Sequence, residues 1–97
     1  MSRKIDEKEL EAVSGGVSKG SWATVCGVQT GYLAIRADPA YDYNNELIHM
    51  GLYNGDEVQI TGSYVQGTGF NGVQATYVWV FVPKFGISGY VDSAYIR

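Results

Sequence analysis

From residue 17 onward the chain is a succession of short apolar runs separated by glycine, asparagine, aspartate or proline, and in several of them apolar and polar positions alternate. Ala23 to Val28 is β-prone, and Tyr32 to Ala37 follows the turn at Gly31, with Leu33 and Ile35 on one face and Arg36 on the other. Asp38-Pro39 opens a tyrosine-bearing loop, Ala40 to Glu46, without periodicity of its own. Leu47 to Leu52 alternates so that Ile48, Met50 and Leu52 share a side. Asn54-Gly55-Asp56 is a tight-turn signal, because Asn-Gly accepts positive φ at little cost, and Asp56 supports the turn. Glu57 to Tyr64 forms a strand with Val58 and Ile60 inward, and a glycine-rich loop, Val65 to Gln74, leads to a strand from Ala75 to Val82. Gly86 turns into a short strand, Ser88 to Val91, and Asp92 to Ile96 makes a closing turn. Five or six short strands joined this way predict an all-β fold, a small and strongly bent barrel.

The first sixteen residues have another character. Ser2 to Ser14 carries seven of the seventeen charged residues and no aromatic, with Ile5, Leu10 and Val13 as apolar points, which predicts a short helical or disordered segment ended by Gly15-Gly16. The boundary divides the chain into residues 1–16 and a folded unit, residues 17–97. The stretch from Ile5 to Gly16 resembles a double-glycine leader of the bacteriocin type, whose usual pattern is Leu-Ser-x-x-Glu-Leu-x-x-Ile-x-Gly-Gly. Glu9, Leu10, Val13, Gly15 and Gly16 fall in register with it, while Ile5 and Asp6 replace the commoner Leu and Ser. The resemblance implies cleavage after Gly16 by a peptidase-containing ABC transporter, with Leu10 and Val13 docking in a groove and two bare glycines threading the protease cleft. A frayed, glycine-capped helix followed by a linker is the plainer alternative.

Composition narrows the partners. With 97 residues there is material for one modest core. A net charge of −3 and scattered basic residues give no general attraction to nucleic acid or to anionic lipid. No apolar run approaches the roughly 20 residues that span a bilayer, so membrane insertion is not expected, and the N-terminus lacks the apolar core of an ordinary secretory signal. The single cysteine, Cys26, forbids an internal disulfide and a multi-cysteine zinc site.

A second resemblance spans residues 23 to 97. Gly31-Tyr32-Leu33-Ala34-Ile35-Arg36-Ala37-Asp38-Pro39, Asn54-Gly55-Asp56-Glu57-Val58, Trp79-Val80-Phe81-Val82 and Gly89-Tyr90-Val91-Asp92-Ser93-Ala94-Tyr95-Ile96 follow in order. They are similar to the Leu-Asn-Val-Arg-x-x-Pro, Lys-Gly-Asp-x-Val, Trp-x-x-Val and Gly-Trp-Val-x-x-x-Tyr-Leu motifs of bacterial SH3-like (SH3b) domains. Ala34 and Tyr90 stand where that family often has Asn and Trp, and the loop Val65 to Gln74 is longer than usual. The resemblance implies an SH3-like barrel and, by analogy, a wall-associated binding module.

It also implies that Val78, Val80 and Val82 face the core, whereupon alternation puts Tyr77, Trp79 and Phe81 on the opposite face. Tyr41 and Tyr43 would form a facing wall, giving an aromatic groove for an extended ligand. In the competing arrangement the stripe is covered by the glycine-rich loop or by residues 17 to 22, with Trp22 as a lid.

Catalysis finds little support. Cys26 and His49 are the one nucleophile and base pair, in no recognised motif; Cys26 lies in an apolar run as a small buried residue and His49 on an outer face. Asp38, Asp42 and Glu46 recur at fourfold spacing in what is expected to be a solvated loop, and no metal or cofactor is expected. With the two resemblances, the expectation is a non-catalytic binding module that recognises an extended peptide or a glycan; that it is secreted or wall-associated after leader removal, with peptidoglycan as the ligand, is what the resemblances imply. A bacteriocin-like toxin or secreted signal, and an intracellular protein-interaction domain, are the alternatives.

Overall fold

The computed structural model describes residues 20–97, so the leader positions Glu9, Leu10, Val13, Gly15 and Gly16 lie outside the described residues. The fold is all-β. Six strands, β1 (Trp22–Thr24), β2 (Leu33–Arg36), β3 (Glu46–Leu52), β4 (Glu57–Thr68), β5 (Gln74–Val82) and β6 (Ile87–Asp92), form one antiparallel sheet in the order β1-β4-β5-β6-β2-β3. The sheet curls into a half-barrel. The C-terminal residues, past β6, return to pair with β1 and its continuation: Arg97 and Thr24 exchange backbone hydrogen bonds of 2.7 and 2.9 Å, and the Cys26 N–H donates to the Tyr95 carbonyl.

The alternation of β5 explains the core. Val78, Val80 and Val82 are buried inside the curl together with Val58, Ile60, Ile35, Leu33, Leu52, Val91 and Ile96. Val78 is paired with Val91 and Val82 with Ile87, so the β-branched residues of β5 and β6 face inward in register. Removing the two γ-methyls of one such valine forfeits about 2 kcal/mol of burial before any cavity term is added.

Three expectations need correction. Met50 does not join Ile48 and Leu52 inside but is 58% exposed, because a bulge between Ala34 and Arg36 breaks the β2–β3 register and lets the middle of β3 swing outward. Cys26 lies past the end of β1 rather than within a strand and is half-buried. The glycine-rich stretch is mostly not a loop. β4 continues through Thr68, and only a short 3₁₀ turn, Phe70–Gly72, links it to β5, with Asn71 at φ 60°. Two further 3₁₀ turns, Tyr43–Asn45 and Ser93–Tyr95, are capped by the carboxylates of Asp42 and Asp92, each accepting from the backbone N–H two residues on.

Candidate functional site

Cross-strand register defines the outer face of the sheet. One row runs Trp22, Gln59, Phe81, Ser88; the next runs Trp79, Tyr90, Arg36, Glu46; the third joins Val65, Tyr77 and Asp92. Tyr77, Trp79 and Phe81 therefore do share the face opposite the valines. They differ in cover. Trp79 lies over Gly62, at a bulge where Thr61 to Ser63 oppose a single β5 residue, and meets the edge of Tyr90 at 5.0 Å, which leaves it half-buried; Phe81 is half-buried too. Trp22 is 54% exposed and forms no lid.

Tyr77 is buried, only 1% exposed, and its cover is the segment after β2. Pro39 to Tyr41 runs alongside the end of β4: the Tyr41 N–H donates to the Thr68 carbonyl at 2.7 Å, and the Thr68 N–H donates to the Pro39 carbonyl at 3.2 Å. Gly67 permits this crossing, since a Cβ there would run into the Pro39 carbonyl and the Tyr77 ring. The Tyr77 hydroxyl donates to the Thr68 carbonyl at 2.9 Å. Burial first, and then the Asp92 carboxylate, push the Tyr77 phenol above its ordinary pKa.

This crossing sets Tyr41 beside Phe70, edge to face at 5.4 Å, and over the guanidinium of Arg36 at 4.6 Å. Together with Tyr77 they line a groove of about 480 Å³, completed by residues 27 to 30, Tyr32, Asp92 and Tyr95. Tyr95 packs against Gly27, and the groove loop is clasped by Asn54, whose side-chain amide accepts from the Val28 N–H and donates to its carbonyl, both at 2.9 Å. Tyr32 donates to Glu46 Oε1 at 2.8 Å, and that bond, ahead of burial, raises the phenol pKa.

Of the residues singled out from the sequence, Tyr41 and Tyr77 reach the groove, Tyr77 as part of its buried lining. Trp79 and Phe81 stand outside it on the same sheet face, and Tyr43 points elsewhere, its ring 6.5 Å from that of His49. Phe70, Tyr95, Tyr32, Arg36 and Asp92 were not anticipated as lining. Phe70 lies in a stretch whose glycines give a loop signal, and the outward parity of Arg36 is legible in the sequence whereas its burial beneath Tyr41 is not. Cys26 and His49 have separate neighbours, Tyr95 and Tyr43. Among the described residues no three of His, Cys, Asp and Glu converge as metal ligands, and no helix is long and apolar enough to cross a membrane. Comparisons of the chain with family models, with curated proteins and with solved structures found no match.

Proposed function

We propose that this chain is an exported, non-catalytic binding module of the SH3b type whose groove takes an extended peptide or glycan of the bacterial cell envelope. The observation that carries the reading is the groove itself, where Tyr41 and Phe70, 54% and 64% exposed, flank a concave surface built on the curled sheet. Large rings held open to water beside a pocket suit recognition by stacking and apolar contact. Trp79 and Phe81 extend the same sheet face as a secondary contact. The envelope as the source of ligand rests on the motif resemblance and on the double-glycine pattern of the leader, which supports export through a peptidase-containing transporter.

Purified peptidoglycan should retain the full chain in a sedimentation assay. The Tyr41→Ala/Phe70→Ala double variant should lose at least tenfold in retention, since both side chains are largely exposed and their removal leaves the core intact. Failure of the unmodified chain to sediment with the walls would discard the envelope ligand. Export is tested separately: replacing Gly15 and Gly16 with bulky residues should leave the precursor uncleaved in its host, and normal processing of that variant would remove the leader from the account.

A further inference from the structure

Arg36 is the outlying member of the groove. Its side chain is 8% exposed, a degree of burial at which an arginine ordinarily has its donors paired. Its hydrogen bonds to described residues leave from one nitrogen alone, Nη1, to the Asp42 carbonyl at 2.8 Å and to Asn45 Oδ1 at 3.1 Å. The carboxylate nearest to it, Glu46, stands 4.0 Å from that same Nη1 and accepts instead from the Tyr32 hydroxyl. Holding the tyrosine loop thus occupies one end of a five-donor group, and Nη2 and Nε have no acceptor among the described residues. The guanidinium carbon lies over the Tyr41 ring, 4.6 Å from its centre, and Arg36 lines the groove.

We propose that the groove receives a peptide carboxylate, bound by Arg36 through the donors its own loop leaves free while the rings of Tyr41, Phe70 and Tyr95 hold the residue that carries it. The proposal rests on the reading of this groove as a peptide-binding site and names the chemistry that reading left open. A planar carboxylate matches the fork of a guanidinium, and in a partly desolvated groove the charge-assisted pair is stronger than its surface counterpart. Asp92 on the same lining and Glu46, 4.0 Å from Nη1, set the sign of the selectivity: two carboxylates around one arginine penalise the doubly charged form of phosphate more than the single charge of a carboxylate. The volume of about 480 Å³ leaves room for one or two residues around the charged end.

The test is a titration of the isotopically labelled full chain followed by nuclear magnetic resonance, with the Arg36 Nε–H signal as the readout specific to the carboxylate. Four probes are compared: N-acetyl-alanyl-leucine with a free carboxylate, its C-terminal amide, N-acetyl-alanyl-glutamyl-alanine amide and inorganic phosphate. The free-carboxylate dipeptide should shift Arg36 Nε–H together with the amides of Gly27, Val28 and Tyr41, and the amidated dipeptide should bind about tenfold more weakly or worse. If the glutamyl probe binds as well as the free dipeptide, the groove takes carboxylates in mid-chain; if only the dipeptide binds, it takes chain ends. Equal affinity for acid and amide, binding that leaves Arg36 Nε–H unmoved, or tighter binding of phosphate would each overturn the proposal. Absence of any shift with the peptides would do the same, and retention on walls that still depends on Tyr41 and Phe70 would then show that the binding reading survives without it.

Discussion

Asp56 shows how one side chain can hold a turn and a distant loop at once. Its Oδ2 accepts from the Tyr53 N–H at 2.8 Å and from Lys84 Nζ at 2.9 Å, while Gly55 supplies the positive φ of 97° that the turn requires. The bond from Tyr53, and after it the one from Lys84, hold the carboxyl below its ordinary pKa. A carboxyl whose pKa is lower folded than unfolded stabilises the fold above its unfolded pKa, near 4, and that contribution drains away as pH falls through the lower folded value. Urea melts of Asp56→Asn against the unmodified chain should differ most at neutral pH and converge as the pH drops below about 4; a gap that persists into strong acid would refute the account. Gly67 is a steric case, without any positive φ. Gly67→Ala should destabilise by about 1–3 kcal/mol by forcing Pro39 off the end of β4. Its thermal midpoint should fall by ~4–8 °C per kcal/mol, with loss of the shielded environment of the Tyr77 ring.

At the scale of elements, the strands whose two faces differ in chemistry were legible, and the segments whose environment is set by a distant part of the chain were not. β5 announces itself through three valines alternating with rings, and the parity is as expected, with the valines dry. The closing turn from Asp92 to Ile96 was equally legible, and the structure adds that the Asp92 carboxylate caps it by accepting from the Ala94 N–H. The exposure of Met50 is not legible because a bulge changes parity without leaving a mark in the β3 sequence, and the full length of β4 is hidden because Gly67 and Gly69 give a loop signal when one of them is there to admit Pro39. The groove inherited this: its lining from β2, β5 and β6 had readable parity, whereas Phe70 and the stacking of Tyr41 on Arg36 depend on the crossing. The clasp between Asn54 and Val28 is another long-range device, since the amide substitutes for a strand partner over a loop that has none. Asn54→Ala should cost about 1–2 kcal/mol and quicken hydrogen exchange at the Val28 amide well beyond that of neighbouring β4 amides.

Across the whole molecule, the groove collects its lining from nearly the full length of the described chain, from Gly27 to Tyr95, and no local stretch could form it alone. The sheet order compounds this, since β1 sits at one edge beside β4 while the residues that follow β6 return to pair with its continuation. The mating of Thr24 with Arg97 has a temporal corollary. The chain must be made through Arg97 before the first strand can find its partner there, so a polypeptide that stops short of Tyr95 lacks both this pairing and one wall of the groove. Fragments that end before Tyr95 would leave Thr24 and Cys26 without their backbone partners and the groove open on that side.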